Sequence, residues 1–128
     1  MDMTVTPIDA SLGAVVTDIK LKDLDDATWA DLYAMFLKHG VLVFPAQHLD
    51  DAQQDAFARR FGDIEQLNPK QQGAVVRISN TKEDGSVAEP NEYQFKVLRG
   101  NEGWHTDSTY MPLASKAAML AAITVPAE

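Results

Sequence analysis

Apolar residues recur at three- and four-residue spacing through Trp29, Leu32, Tyr33, Phe36 and Leu37, which predicts an amphipathic helix over about 27–39. Leu24-Asp25-Asp26 offers N-cap aspartates ahead of it, and Gly40 follows as a C′ residue. A second helix starts at Asp50, with Gln53 three residues on as its capping-box partner. Phe57 and Phe61 lie one turn apart on its buried face, and Gly62 closes it. The pattern elsewhere is that of strands. Residues 4–8 read as a short edge strand stopped by Pro7, and the β-branched run 13–19 as a second strand. The continuous apolar run 41–44 before Pro45 predicts a strand buried on both faces. Residues 75–78 and 117–125 are further strand candidates, and 82–86 is a turn centred on Asp84-Gly85. The mixed stretch 91–103 reads as a loop with strand pieces. Strands thus flank two helices without regular βαβ alternation, which points to an α+β or mainly β core with helices packed on one side.

Composition narrows the class. The 128 residues suit one domain over 1–128, and a hydrophobic fraction of 45% is that of a globular chain. The net charge of −8 argues against a nucleic-acid or anionic-membrane partner, because both need an excess of Lys and Arg. Cysteine is absent, so disulfides, zinc-thiolate sites and thiol nucleophiles are excluded within these residues. The opening Met1-Asp2-Met3-Thr4 is no signal peptide, and no apolar run reaches the ~20 residues of a membrane span. The expected location is cytoplasmic.

One segment carries candidate chemistry, Trp104-His105-Thr106-Asp107-Ser108-Thr109-Tyr110. On a strand, His105 and Asp107 would point to one face, where imidazole and carboxylate can converge on a divalent ion. Such a pair with one further His leaves open positions for substrate and oxygen, the arrangement of non-haem Fe(II) oxygenases. The bare triplet is weak, since a chain of this composition holds roughly 0.3 of them by chance. A surface His bonded to a strand neighbour would look the same. The alternation that sets the pair on one face sends Trp104 to the other, into the core, while Tyr110 either lines a pocket or packs.

The surroundings are more specific. Residues 101–110, Asn-Glu-Gly-Trp-His-Thr-Asp-Ser-Thr-Tyr, closely resemble the metal-binding segment of the taurine dioxygenase family of Fe(II)- and 2-oxoglutarate-dependent oxygenases. The resemblance extends to Gly13-Ala14, Asp18-Ile19, Gly40-Val41-Leu42-Val43-Phe44, Gln47-His48-Leu49, Gln53, Phe57-Ala58-Arg59-Arg60-Phe61-Gly62 and Ala121-Ala122-Ile123-Thr124-Val125-Pro126. Ile78-Ser79-Asn80, Asp84-Gly85 and Val87-Ala88 look most like the branch that degrades phenoxyacetate herbicides.

The resemblance implies that His105 and Asp107 are iron ligands and that the cofactors are Fe(II), 2-oxoglutarate and O₂. The implied reaction hydroxylates a small organic anion (a sulfonate, an alkyl sulfate or an aryloxyalkanoate) while 2-oxoglutarate is decarboxylated to succinate and CO₂. Asn101, four residues before His105, matches a substrate-contacting Asn of the family, and is equally a turn-forming Asn between Gly100 and Gly103. Where taurine dioxygenase has a sulfonate-binding His, the nearest match here is Asn68 or a neighbour, which argues against taurine as substrate. The herbicide branch has a Lys nine residues after the Phe of its Phe-Gly, and that count from Phe61 lands on Lys70. Lys70 either pairs with a substrate carboxylate or is a solvated surface Lys beside Gln71 and Gln72. Tyr110 is a further candidate for the substrate pocket. The resemblance also sets the distal His downstream of Asp107, so His39 and His48 are not ligands.

The implied fold is the N-terminal half of a double-stranded β-helix (jelly roll, cupin-like) with two packed helices. Members of the family run more than a hundred residues further and often form homo-oligomers. Residues 1–128 are therefore expected to be the N-terminal part of one longer jelly-roll domain. The third ligand and the Arg that binds 2-oxoglutarate are expected beyond residue 128, and the chain alone is expected not to turn over. Two other readings stand beside the oxygenase. One is a non-catalytic remnant or interaction module of the same fold, the other a metal-binding protein without turnover.

Overall fold

A computed structural model describes residues 3–66 and 73–125. They fall into two compact units, Met1–Arg60 and Phe61–Glu128.

In the first unit, β1 (Thr4–Pro7) pairs antiparallel with β2 (Ala14–Thr17), Thr4 opposite Thr17 and Pro7 opposite Ala14. Gly13 closes the hairpin at φ +106, and a Cβ there would meet Ile8 Cδ1 at 2.6 Å, so the turn requires glycine. β2 ends at Thr17 because Asp18 turns to φ +60. Hydrogen bonds from the Thr4 and Thr17 side chains hold the Asp18 carboxyl below its ordinary pKa.

β3 (Leu42–Val43) runs parallel to β2, giving the order β1-β2-β3. A parallel pair needs a long crossover, and α1 (Asp26–His39) supplies it. The structure therefore holds a βαβ unit that the irregular pattern of strands and helices does not predict. The run 41–44 is half-buried at best, not covered on both faces, with Val41 and Val43 exposed. Among the described residues β3 is the sheet's edge, so one flank has no neighbour.

Both helices of this unit begin as their caps dictate. Asp25 accepts the Thr28 N–H at 2.7 Å, which also holds its carboxyl below the ordinary value. Gly40, at φ +73, returns its N–H to the Phe36 carbonyl at 2.8 Å. A short 3₁₀ turn, Leu21–Asp23, precedes α1. α2 (Asp51–Ala58) starts from a complete capping box. Asp50 accepts the Gln53 N–H at 2.8 Å, and the Gln53 side chain accepts the Asp50 N–H at 3.0 Å. Asp50→Ala is expected to cost about 1 kcal/mol by removing one half of that exchange. Urea unfolding followed by far-UV circular dichroism measures it, and an unchanged midpoint would deny the cap its role.

Ala14, Val16, Ile19, Leu21, Leu32 and Phe57 are the buried apolar residues of this unit. Phe57 stands edge-on to Trp29 at 6.0 Å and to Phe44 at 6.2 Å, while Trp29 stacks obliquely on Tyr33 at 5.6 Å. Leu37, which the spacing places in the apolar stripe, is instead exposed, because it sits about 140° round the helix from Leu32. Phe61 lies past the end of α2 and is half-buried, so it extends no helical face. The family-like residues here have structural duties. Gln47 accepts the Leu21 N–H at 3.0 Å and donates to the Ile19 and Pro45 carbonyls at 3.2 and 3.1 Å. Arg60 reaches Asp26 at 3.2 Å and the Leu24 carbonyl at 2.8 Å, with its guanidinium 5.7 Å from the Trp29 ring centre.

In the second unit the turn at Asp84-Gly85 forms as predicted. Lys82 N–H donates to Ser86 O at 2.7 Å, and Thr81 bridges Val87. A third helix, α3 (Tyr93–Gly100), occupies the stretch expected to be a loop with strand pieces, so the described chain has three α-helices where two were expected. Its signal is faint. Glu92 precedes it without a side-chain capping bond, and of its apolar residues Tyr93 and Val97 are exposed. Glu92 instead ties the helix to the hairpin, accepting Lys82 Nζ at 3.0 Å and the Glu89 N–H at 2.6 Å. These two bonds, the Glu89 N–H first, hold the Glu92 carboxyl below its ordinary pKa.

The runs 75–78 and 117–125 form no strand among their described residues, although their β-branched content predicts one. β-propensity acts through cross-strand partners, and Ile78 and Ile123 remain exposed with none among the described residues. The described architecture is α+β with one three-stranded sheet.

Candidate metal centre

The His105–Asp107 segment follows α3 through a tight exit. Asn101 N–H returns to Leu98 O at 3.1 Å and Glu102 N–H to Arg99 O at 3.2 Å. From Gly103 to Tyr110 the backbone is irregular, not a strand, so the two side chains meet by a turn and not by alternation.

His105 Nδ1 lies 2.8 Å from the Gly103 carbonyl oxygen. A carbonyl can only accept, so Nδ1 carries a proton, and in a neutral ring the lone pair is then on Nε2. Nε2 then lies 3.2 Å from Asp107 Oδ1. In the neutral tautomer a lone pair thus faces a carboxylate oxygen, which is repulsive unless a proton or a cation stands between them. The 3.2 Å spacing suits either, a charge-assisted hydrogen bond or a shared cation. Two donors at ~2.0–2.2 Å from one ion, at right angles, are about 3 Å apart. The Gly103 carbonyl serves the ring as backbone carbonyls commonly serve metal-bound histidines, by fixing tautomer and tilt. Both side chains are open to solvent, so further ligands could enter.

Two donors do not make a complete site. Among the described residues no group of three or more His, Asp or Glu side chains is placed to hold a metal ion. His39 ends α1 and His48 lies in the loop before α2, both in the first unit.

The other candidates are less gathered. Asn101 is the C-cap of α3 and exposed, so it serves the turn role at least. Tyr110 is exposed. Trp104 is fully exposed, against the expectation of a core residue, because that expectation needed a strand's alternation. Asn68 and Lys70 lie outside the described residues.

Three residues that the sequence did not single out, Glu65, Ser108 and Ser115, come together just after the pair. Ser108 is 4% exposed and sits at φ +57. Its hydroxyl donates to Glu65 Oε2 at 2.7 Å, and the Ser115 hydroxyl donates to the same oxygen at 2.8 Å. Contacts spanning 43 and 50 residues leave no periodic trace in a sequence.

The imidazole Nε2 of His105 and the carboxylate two residues further on are a nitrogen and an oxygen donor of the kinds a mixed nitrogen–oxygen metal site uses. The chain belongs to the taurine catabolism dioxygenase TauD, TfdA family, whose model matches residues 4–128. It is 51% identical over 124 residues to the (S)-phenoxypropionate/alpha-ketoglutarate-dioxygenase of Sphingobium herbicidovorans, covering 95% of this chain and 41% of that protein. It is 47% identical over 129 residues to the enzyme of the same name from Delftia acidovorans, covering 98% and 43%. The crystal structure of AAD-2 in complex with Mn(II) and N-oxalylglycine superposes with a TM-score of 0.77 at 26% identity, over 89% of this chain and 39% of that one. The chain thus spans about two-fifths of the length of the curated relatives it matches.

Proposed function

We propose that these residues are the iron-ligand-bearing N-terminal part of an Fe(II)- and 2-oxoglutarate-dependent dioxygenase that hydroxylates an aryloxyalkanoate or a related small organic anion. The observation that carries this is the 3.2 Å approach of His105 Nε2 to Asp107 Oδ1 with Nδ1 already committed to Gly103. The family match supports the cofactor set, as does the binding of Mn(II) and N-oxalylglycine, an isostere of 2-oxoglutarate, by AAD-2. Fe(II), when bound with 2-oxoglutarate and O₂, supplies an oxidant for C–H hydroxylation as the cosubstrate loses CO₂ and becomes succinate. The protein's part is placement. His105 and Asp107 would hold the metal, Asp107 offsetting one of its charges, and Gly103 O would keep the imidazole in its ligating tautomer. Asn101 and Tyr110, on the same segment, would meet the substrate, with Asn68 near its acidic end. The reading includes a double-stranded β-helix of which 1–128 forms the N-terminal part, and action in the cytoplasm. No helix among the described residues is long and apolar enough to cross a membrane.

An aryloxyalkanoate is favoured over a sulfate ester by likeness. The two phenoxypropionate enzymes are 51% and 47% identical to this chain, and the sulfate ester dioxygenase of Pseudomonas putida 31%. The test uses the protein with its downstream sequence in place. Loss of (S)-2-phenoxypropionate is expected to match succinate formation one for one, and only with Fe(II) present. Metal binding without succinate would refute the oxygenase reading, and binding of neither metal nor 2-oxoglutarate would leave a non-catalytic module.

Lys70 is proposed to pair with the substrate carboxylate. Lys70→Ala is then expected to raise KM for the acid about tenfold or more with a smaller change in kcat, since a charge-assisted bond to the bound acid is lost in ground and transition state alike. An unchanged KM would remove Lys70 from the site.

A further inference from the structure

We propose that Glu65 is a positioning residue for the His105–Asp107 pair, acting through a double hydroxyl clasp on the turn that carries Asp107. The inference rests on the reading of the pair as metal ligands, and it names the group that holds them in place before metal arrives.

Ser108 follows Asp107 directly. Its φ of +57 is a left-handed conformation that residues other than glycine adopt uncommonly, so something outside the residue must impose it. The burial of its hydroxyl against Glu65 Oε2, at 2.7 Å, does so. The Ser115 hydroxyl on the same oxygen, at 2.8 Å, closes the clasp around residues 108–115. Within it the Met111 N–H donates to Ser108 O at 3.0 Å and completes the turn. A carboxylate oxygen is a stronger hydroxyl acceptor than a neutral one, which suits it to holding a strained turn.

The other carboxylate oxygen, Glu65 Oε1, is buried and has no hydrogen-bond partner among the described residues. Stability alone would favour satisfying or removing that oxygen. Its retention beside a strained Ser108 fits a positional duty. Fixing Ser108 fixes the peptide that leaves Asp107, and with it the direction of the Asp107 carboxylate. Gly103 O holds the imidazole from the other side. The two anchors together hold Nε2 and Oδ1 3.2 Å apart.

The test compares Glu65→Ala, Glu65→Gln and the double variant Ser108→Ala/Ser115→Ala in the protein with its downstream sequence, with His105→Ala as reference. Two quantities are read: Mn(II) affinity, from the EPR signal of the free ion, and hydrogen exchange of the Met111 amide in metal-free protein. Glu65→Ala and the double variant are expected to weaken Mn(II) binding about 10–100-fold, the range for residues that orient metal ligands. Both are also expected to speed Met111 exchange while leaving α1 amides unchanged. Glu65→Gln, whose amide oxygen still accepts both hydroxyls, is expected to restore most of the affinity and the protection. Wild-type affinity and exchange in Glu65→Ala would overturn the proposal, as would a rise in exchange shared equally by α1, which marks general destabilisation. If His105→Ala leaves Mn(II) affinity unchanged, the ligand reading fails, and Met111 exchange still decides whether Glu65 holds the turn.

Discussion

Asp107→Ala, made in the protein with its downstream sequence, is expected to abolish Fe(II)-dependent succinate formation without altering the thermal transition. The two halves have separate causes. Residues that merely orient a metal ligand cost about 10–100-fold in affinity or activity when lost, so removing the ligand itself should exceed about a hundredfold. On the proposed reading the carboxylate would also carry the charge that offsets the dication, and no other acidic side chain is placed with His105 to replace it among the described residues. Stability should hold because Asp107 is 71% exposed and its side-chain partner among the described residues is the exposed His105. Surface substitutions of that kind change stability by no more than about 0.5 kcal/mol. Asp107→Asn keeps the shape and loses the charge, so it should fall with Ala. His105→Ala should behave alike, since Nε2 would be the other donor. Succinate formation within tenfold of wild type in either variant would remove the pair from the metal site, whatever the family resemblance suggests.

Phe57→Ala should produce the largest stability loss in the first unit, about 3–5 kcal/mol. Phe57 is 5% exposed and touches rings on two sides, Trp29 from α1 and Phe44 from the segment after β3. Truncation removes the buried ring and both edge-to-face contacts, and it leaves a cavity between groups too stiff to close it. A native domain has only about 5–15 kcal/mol to lose, so the variant should show a large drop in urea midpoint at unchanged slope. A loss below about 1 kcal/mol would show that Trp29 and Phe44 collapse onto the site, and that this ring cluster is not what joins α2 to the sheet.

These two residues were legible to different degrees. Phe57 stands on a capped, periodic helix, and both its helix and its burial follow from spacing and from the Asp50–Gln53 box. The His105–Asp107 pair is legible as a motif, and its side chains stand 3.2 Å apart although the strand expected to bring them together is absent. Chemistry at i and i+2 survives a change of backbone because a turn can also bring such neighbours within reach. The alternation that would bury Trp104 is missing from the backbone, and Trp104 is fully exposed.

The sequence alone determined the elements whose causes are local. Asp25 and Gly40 bound α1, Asp50 and Gln53 start α2, Gly13 and Asp84-Gly85 make their turns, and Pro7 and Pro45 mark the ends of apolar runs. Each depends on a few neighbouring residues, and the sequence displays them side by side. Tertiary structure alone decided that β2 and β3 pair in parallel around α1, that 75–78 and 117–125 stay unpaired among the described residues, and that Glu65 grips Ser108 and Ser115. Strand pairing and buried hydroxyl–carboxylate contacts join residues distant along the chain. Their energy depends on which partner arrives, and that information has no local signature to read.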